Sequence, residues 1–159
     1  MGKKLRGRIQ GRNVDSSVVE GVGTFIYCTS TKRYLFLLRN TKKYAGTWGL
    51  AGGGIEPGEN LLASLYRELA EEMGYDFSLT KVIPIEKFTS DNNYFSYHTF
   101  LIAVDEEFVP ILNNEHRGFC WVSLEDHPKP LHPGVWRTIN FASVVDKIKT
   151  VESVLQVTL

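Results

Sequence analysis

Excess charge of either sign is missing from this chain. Eighteen Lys and Arg residues offset eighteen Asp and Glu residues over 159 positions. A general nucleic-acid binder would carry a basic surplus, so the balance argues against that class and no general nucleic-acid binding is expected. No long apolar run is present, so no transmembrane helix is expected and no membrane partner. The basic N-terminus has no apolar region behind it, unlike a secretory leader, and Arg6 stands where a myristoylation signal needs Ser or Thr. Cysteine is scarce: Cys28 and Cys120 lie far apart and form no CxxC, which argues for two buried thiols in a reduced, cytoplasmic protein. Repeats, low-complexity blocks and Pro/Gly/Ser linkers are absent. One domain over residues 1–159 is therefore expected, a length that suits one core. Its first fifteen residues form a basic segment with Lys3, Lys4, Arg6, Arg8 and Arg12. That segment reads as a mobile, solvated arm or as one that touches phosphate or a partner.

What the chain does have is alternation of strand-like and helix-like stretches. Val18 to Cys28 and Tyr34 to Arg39 are rich in β-branched and aromatic residues, with a turn at 29–33 that suggests an antiparallel pair. Gly46 to Gly58 then holds six glycines in thirteen residues, a loop that must bend sharply or approach something closely. Asn60 can cap a helix that runs to about Met73, with Gly74 as its stop. Val82 to Phe88, Phe95 to Val104 and Phe119 to Leu124 read as further strands. A final helix is expected from Pro133, with Trp136, Ile139, Val144, Ile148 and Val151 at helical spacing. This order predicts an α/β fold with a mixed sheet covered by helices on both faces.

The helix after the glycines carries an unusual face. Taking Glu68 as zero, Glu71 falls at about −60° and Glu72 at about +40°. Leu62, Leu65, Tyr66, Leu69 and Met73 form the adjacent apolar stripe. Such a cluster is usually a solvated face. Here it borders the core stripe and follows directly on a glycine loop, and a carboxylate cluster is what a hard divalent cation requires. Magnesium takes oxygen ligands and commonly shares its shell with water and substrate phosphates.

The spacing G-x5-E-x7-R-E-U-x-E-E-x-G-U, with U a bulky apolar residue, is filled by Gly53, Glu59, Arg67, Glu68, Leu69, Glu71, Glu72, Gly74 and Tyr75. This resembles the signature of the Nudix hydrolases. Every fixed position matches, and Trp48-Gly49-Leu50 and the flanking strands also look like that family. Two positions depart from it: Tyr75 where an aliphatic residue is usual, and Ala51 where proline is common.

The resemblance implies a Nudix-type α/β/α sandwich and hydrolysis of a nucleoside diphosphate linked to another group. Nucleoside triphosphates, nucleotide sugars and dinucleoside polyphosphates are the compact candidates. It implies Mg2+, with Mn2+ as a substitute, held by Glu71 and Glu72 with Glu68 and the Gly52 carbonyl. Glu59 and Arg67 look like a supporting pair, and the general base is Glu68 or, from outside the motif, Glu115. His116, next to Glu115, reads as a solvent-exposed loop histidine. Substrate contacts are less specified: Arg39 ends a strand before the loop, Tyr94 lies nineteen residues past the motif, and Tyr97, Phe95, Trp48 and Trp121 are either base-stacking or core aromatics. Many relatives are dimers, so a homodimer is one expectation. A catalytically silent nucleotide-binding domain and a prenyl-diphosphate isomerase are the rival readings. The first would be expected to lose motif carboxylates, and the second needs a cysteine context that neither Cys28 nor Cys120 has.

Overall fold

A computed structural model describes residues 19–77 and 80–157; the basic N-terminal segment lies outside them. The elements are β1 (Val19–Cys28), β2 (Arg33–Arg39), β3 (Trp48–Gly49), β4 (Ala51–Gly54), α1 (Leu61–Met73), β5 (Val82–Thr89), β6 (Phe95–Val104), β7 (His116–Val122), α2 (Pro133–Ile139) and α3 (Ala142–Val157). They build one mixed sheet of order β3-β2-β1-β6-β5, with β4 added on β1 and β7 on β2. The β1–β6 pair is parallel, from Val19↔Phe95 to Cys28↔Val104, and every other pair is antiparallel.

Alternation along β1 divides the core between the two faces. Val22 and Ile26 pack with Leu65, Leu69 and Met73 of α1. Phe25 and Tyr27 pack with Val135 of α2 and with Val144 and Ile148 of α3. The result is the α/β/α layering expected from the sequence. Along the edge away from β6, β1 first pairs with β4 over Gly21–Thr24 and then with β2 at Tyr27 and Cys28. The sheet therefore divides where β4 diverges from β2.

Several expectations need correction. The glycine stretch is not all loop, because Ala51–Gly54 forms a strand against β1. The helix from Pro133 breaks after Ile139. Asn140 closes α2 with its backbone N–H on the Trp136 and Arg137 carbonyls, and its side-chain amide also caps Trp136. Trp136, placed on the apolar stripe by spacing, is exposed. His116 is not a loop histidine: β7 begins there, and the ring is buried with no hydrogen-bond partner for Nδ1 among the described residues. Burial, then the charge of Arg39, holds its pKa down to about 4, so the ring is neutral at pH 7. Of the two thiols, Cys28 is fully buried and Cys120 half-buried. Trp121 is a core residue, its indole N–H donating to the Phe108 carbonyl at 3.0 Å. Tyr75, the unusual residue at the motif's end, stacks on Phe108 at 4.5 Å and so has a packing role that an aliphatic side chain would fill differently.

The neighbouring glycines 52 and 54 differ in what they tolerate. At Gly52, φ is 152° and a Cβ would lie 2.0 Å from the Val22 carbonyl oxygen, a backbone atom that cannot swing away. At Gly54 a Cβ would meet nothing within 4 Å. We expect Gly52→Ala to lower unfolding stability by about 2 kcal/mol or more and Gly54→Ala to stay within about 0.5 kcal/mol of the parent. Urea denaturation compares them, and equal midpoints for the two variants would remove the close-approach explanation.

Candidate active site

The site is built from the first turn of α1 outward. Asn60 Oδ1 accepts from the Ala63 N–H at 2.8 Å, and Gly74 ends the helix in the left-handed region at φ 64°. Glu59, one residue before the cap, turns back along the helix. It accepts from Ser64 Oγ at 2.6 Å and takes Arg67 in a two-pronged pair, Nε–Oε2 2.6 Å and Nη2–Oε1 2.9 Å. Arg67 first, then Ser64 and the Glu56 N–H, hold the Glu59 carboxyl down to about 2. Arg67 also donates to the Gly54 carbonyl at 3.1 Å and to Glu68 Oε1 at 2.9 Å, and reaches Glu71 at 3.4 Å. One guanidinium thus ties the glycine segment, the helix start and two of the three helix carboxylates together.

The third carboxylate behaves differently. Glu72 is only 2% exposed and belongs with the buried face of α1, not with a solvated one. Its Oε1 accepts from the Gly52 N–H at 2.8 Å. Burial pushes its pKa up to about 9; the Gly52 N–H opposes the rise, and the charges of Glu68 and Glu115 add to it. Glu68 lies beside it, half-buried, with its carboxylate laid over Gly53. A Cβ there would fall 1.9 Å from Glu68 Oε2. Burial raises the Glu68 pKa too, against the pull of Arg67. Glu71 is 53% exposed and turned toward Arg67.

Glu115 comes from the segment before β7, and two clamps fix that segment. Asn113 Nδ2 donates to the Glu71 carbonyl at 3.0 Å, and the Asn40 N–H donates to the Glu115 carbonyl at 2.8 Å. The Glu115 charge raises the pKa of both Glu68 and Glu72, which places it in the same electrostatic neighbourhood.

Among the described residues no three His, Cys, Asp or Glu side chains close into a metal cage. The donors nonetheless suit a hard cation. Glu72 is a buried carboxylate with the Gly52 N–H as its one hydrogen-bond partner among the described residues, and Glu68 and Glu115 crowd it with like charge. A cation of the Mg2+ type is commonly held by one or two carboxylates plus substrate phosphates, not by a complete protein cage. Glu68, Glu71 and Glu72 are the residues that would hold it.

Across the glycine strand lies a cavity of about 460 Å³. Arg39 and Tyr97, both picked out from the sequence, line it; Tyr94 is 59% exposed on the β5–β6 turn and does not. Arg39 is held by Thr41 Oγ1 at 3.0 Å and the Lys43 carbonyl at 3.3 Å, with its charge toward Glu72, Tyr97 and His132. Sequence reasoning missed several wall residues. Phe88 carries the Arg137 guanidinium 4.2 Å above its ring, and Arg137 donates to Glu86 at 3.0 Å. Opposite, His132 meets Tyr44 edge-on at 4.7 Å. Glu86 and Phe88 stand on β5, Arg137 on α2 with His132 at its N-cap, and Tyr44 between β2 and β3, and no local pattern links these three segments.

The raised pKa of Glu72 has a definite consequence for stability. Below about 4.5 the carboxyl is protonated in both folded and unfolded chains. As pH rises toward about 9 the unfolded chain releases that proton first, so the cation-free fold loses stability over that window. Glu72→Gln keeps an acceptor for the Gly52 N–H and removes the titration. In chelator at pH 8 its melting temperature should equal or exceed that of the parent, and added Mg2+ should raise the parent far more than the variant. A variant that melts lower in chelator and still responds fully to Mg2+ would contradict this.

Comparison with known proteins agrees with the geometry. The chain is 29% identical over 126 residues to the nucleoside triphosphatase NudI of Escherichia coli O17:K52:H18, covering 72% of this chain and 84% of that one. It is 25% identical over 125 residues to the enzyme of the same name from Salmonella heidelberg, with the same coverage. The fold matches the NUDIX domain of Shewanella oneidensis NrtR, solved with ADP ribose, at a TM-score of 0.66 and 16% identity over 82% of this chain and 88% of that one. It also matches a MutT protein from Methanosarcina mazei Go1, at 0.63 and 22% over 84% and 94%. The NUDIX domain profile matches residues 19–141, and the chain belongs to that family.

Proposed function

We propose that the protein is a Mg2+-dependent pyrophosphohydrolase of nucleoside triphosphates, with Mn2+ able to replace Mg2+. The observation that carries this reading is the buried Glu72 carboxylate, crowded by Glu68 and Glu115 and joined by one glycine strand to a cavity of nucleotide size. The names of the NudI relatives favour triphosphates over nucleotide sugars and dinucleoside polyphosphates.

The physics favours a cation. Two like charges 4 Å apart repel by about 4 kcal/mol at an effective dielectric near 20. A polyphosphate meeting these carboxylates would be rejected without a counter-charge. When bound, the cation supplies that charge and draws electron density from the phosphoryl oxygens. The chain's own residues do the rest. Arg67, fixed by Glu59, sets the positions of Glu68 and Glu71. Arg39 receives phosphate at the cavity side. Glu68, whose basicity burial strengthens, takes the proton from the attacking water as the new P–O bond forms. The bridging P–O bond breaks, leaving a nucleoside monophosphate and pyrophosphate.

The silent-domain reading is disfavoured because every motif carboxylate and the arginine that positions them are in place. In saturating Mg2+, Glu71→Gln should lose most turnover, about 100-fold or more, with an unchanged melting temperature. Glu68→Gln should lose a similar factor and flatten the acid limb of the pH–rate profile, whereas Glu115→Gln should lose less. A panel of nucleoside triphosphates, nucleotide sugars and dinucleoside polyphosphates, scored for phosphate or pyrophosphate release, reads all three. Wild-type turnover in Glu71→Gln would sink the assignment, and release from no substrate would favour the silent domain.

A further inference from the structure

The cavity floor contains an arrangement that the motif does not explain. Tyr97 stands on β6 in register with Gly21 of β1. Its side chain runs along β1 from Gly21 toward Gly23. A Cβ on Gly21 would lie 2.8 Å from Tyr97 Cδ1, and a Cβ on Gly23 would lie 2.2 Å from Tyr97 Oη. Real Cβ atoms do not make such contacts, so these two glycines form a trough that the tyrosine fills. On the same face one step along β1, Phe25 is an ordinary buried core residue. The missing side chains are therefore local to Tyr97.

The trough fixes where the hydroxyl ends up. Gly23 pairs with Gly52, the residue whose N–H binds Glu72. The same Cβ position on Gly23 is 3.3 Å from the Ala51 carbonyl oxygen. Tyr97 Oη thus lies at the seam between the cavity and the carboxylates, within the fields of Glu72, Glu68 and Arg39. It makes no hydrogen bond to any described residue, and Tyr97, half-buried, lines the cavity. The hydroxyl borders the cavity and is free to donate to a group that enters it.

We propose that Tyr97 donates a hydrogen bond to a phosphoryl oxygen of the nucleotide as the chain enters the carboxylate face, and that Gly21 and Gly23 are glycines in order to seat it. This rests on the hydrolase reading above and adds a substrate-binding residue to it. The hydroxyl meets the same oxygen in bound substrate and in transition state, so its loss falls mainly on KM.

The test is a double-mutant cycle on Tyr97→Phe and Gly23→Ala, using ribo- and deoxyribonucleoside triphosphates with Mg2+. Each single variant should raise KM about ten-fold with kcat within about two-fold. The pair together should lose little more than either alone, because alanine acts by displacing a hydroxyl that phenylalanine lacks. Melting temperature in chelator and its rise with Mg2+ should stay at parental values in Tyr97→Phe, which separates this role from a structural one. A parental KM in Tyr97→Phe, or fully additive losses, overturns the proposal while leaving the hydrolase reading standing. A loss confined to the ribonucleotides would put the bond on the sugar and also overturn it. A wild-type protein that hydrolyses none of the nucleotides overturns both.

Discussion

The hydrogen bond from the Gly52 N–H to the buried Glu72 carboxylate joins helix α1 to strand β4. The surrounding structure depends on that contact. A carboxylate taken out of water is costly unless it is neutralised or paired. Among the described residues the chain supplies one amide and the charge of Arg39, and places two further carboxylates within range. Under the proposed function, that arrangement receives a cation. The core stripe of Leu65, Leu69 and Met73 supplies the burial that holds the carboxylate there against its own desolvation.

Close backbone approach is the second constraint, and it accounts for glycines with different roles. Gly52 lets β4 lie against the Val22 carbonyl, and Gly53 makes room for the Glu68 carboxylate. On β1, Gly21 and Gly23 make room for Tyr97 instead. Carboxylates and phenol approach the Gly52 region from α1 and from β6, and the strand between them carries no side chain to keep them apart. The cavity and the charged face are in this way adjacent while standing on different layers of the sandwich.

The motif was legible in the sequence because its chemistry depends on residue type at fixed helical spacing. Glu68, Glu71 and Glu72 sit on α1 as the spacing requires, and Glu59 meets Arg67 because a capped helix start brings position 59 back beside position 67. Other features were hidden for physical reasons. Strand β4 contains three glycines, which have weak strand preference, and its pairing is decided by β1 alone. The partition between Glu72 buried and Glu71 exposed depends on how α1 rolls against the sheet, which angular spacing on an isolated helix does not settle. Phe88, His132 and Arg137 meet only in the tertiary fold, and the start of β7 at His116 carries no local signal. The break at Asn140 overrides an apolar periodicity that runs through it.

The central claim is that these carboxylates form a divalent-cation site held in a partly protonated state. Calorimetric titration of the nucleotide-free protein with Mg2+ at pH 7.5, in two buffers of different ionisation enthalpy, tests it most directly. The account predicts saturable binding with release of about one proton, seen as a buffer-dependent heat. The absence of saturable binding, or binding with a heat independent of buffer, would contradict it.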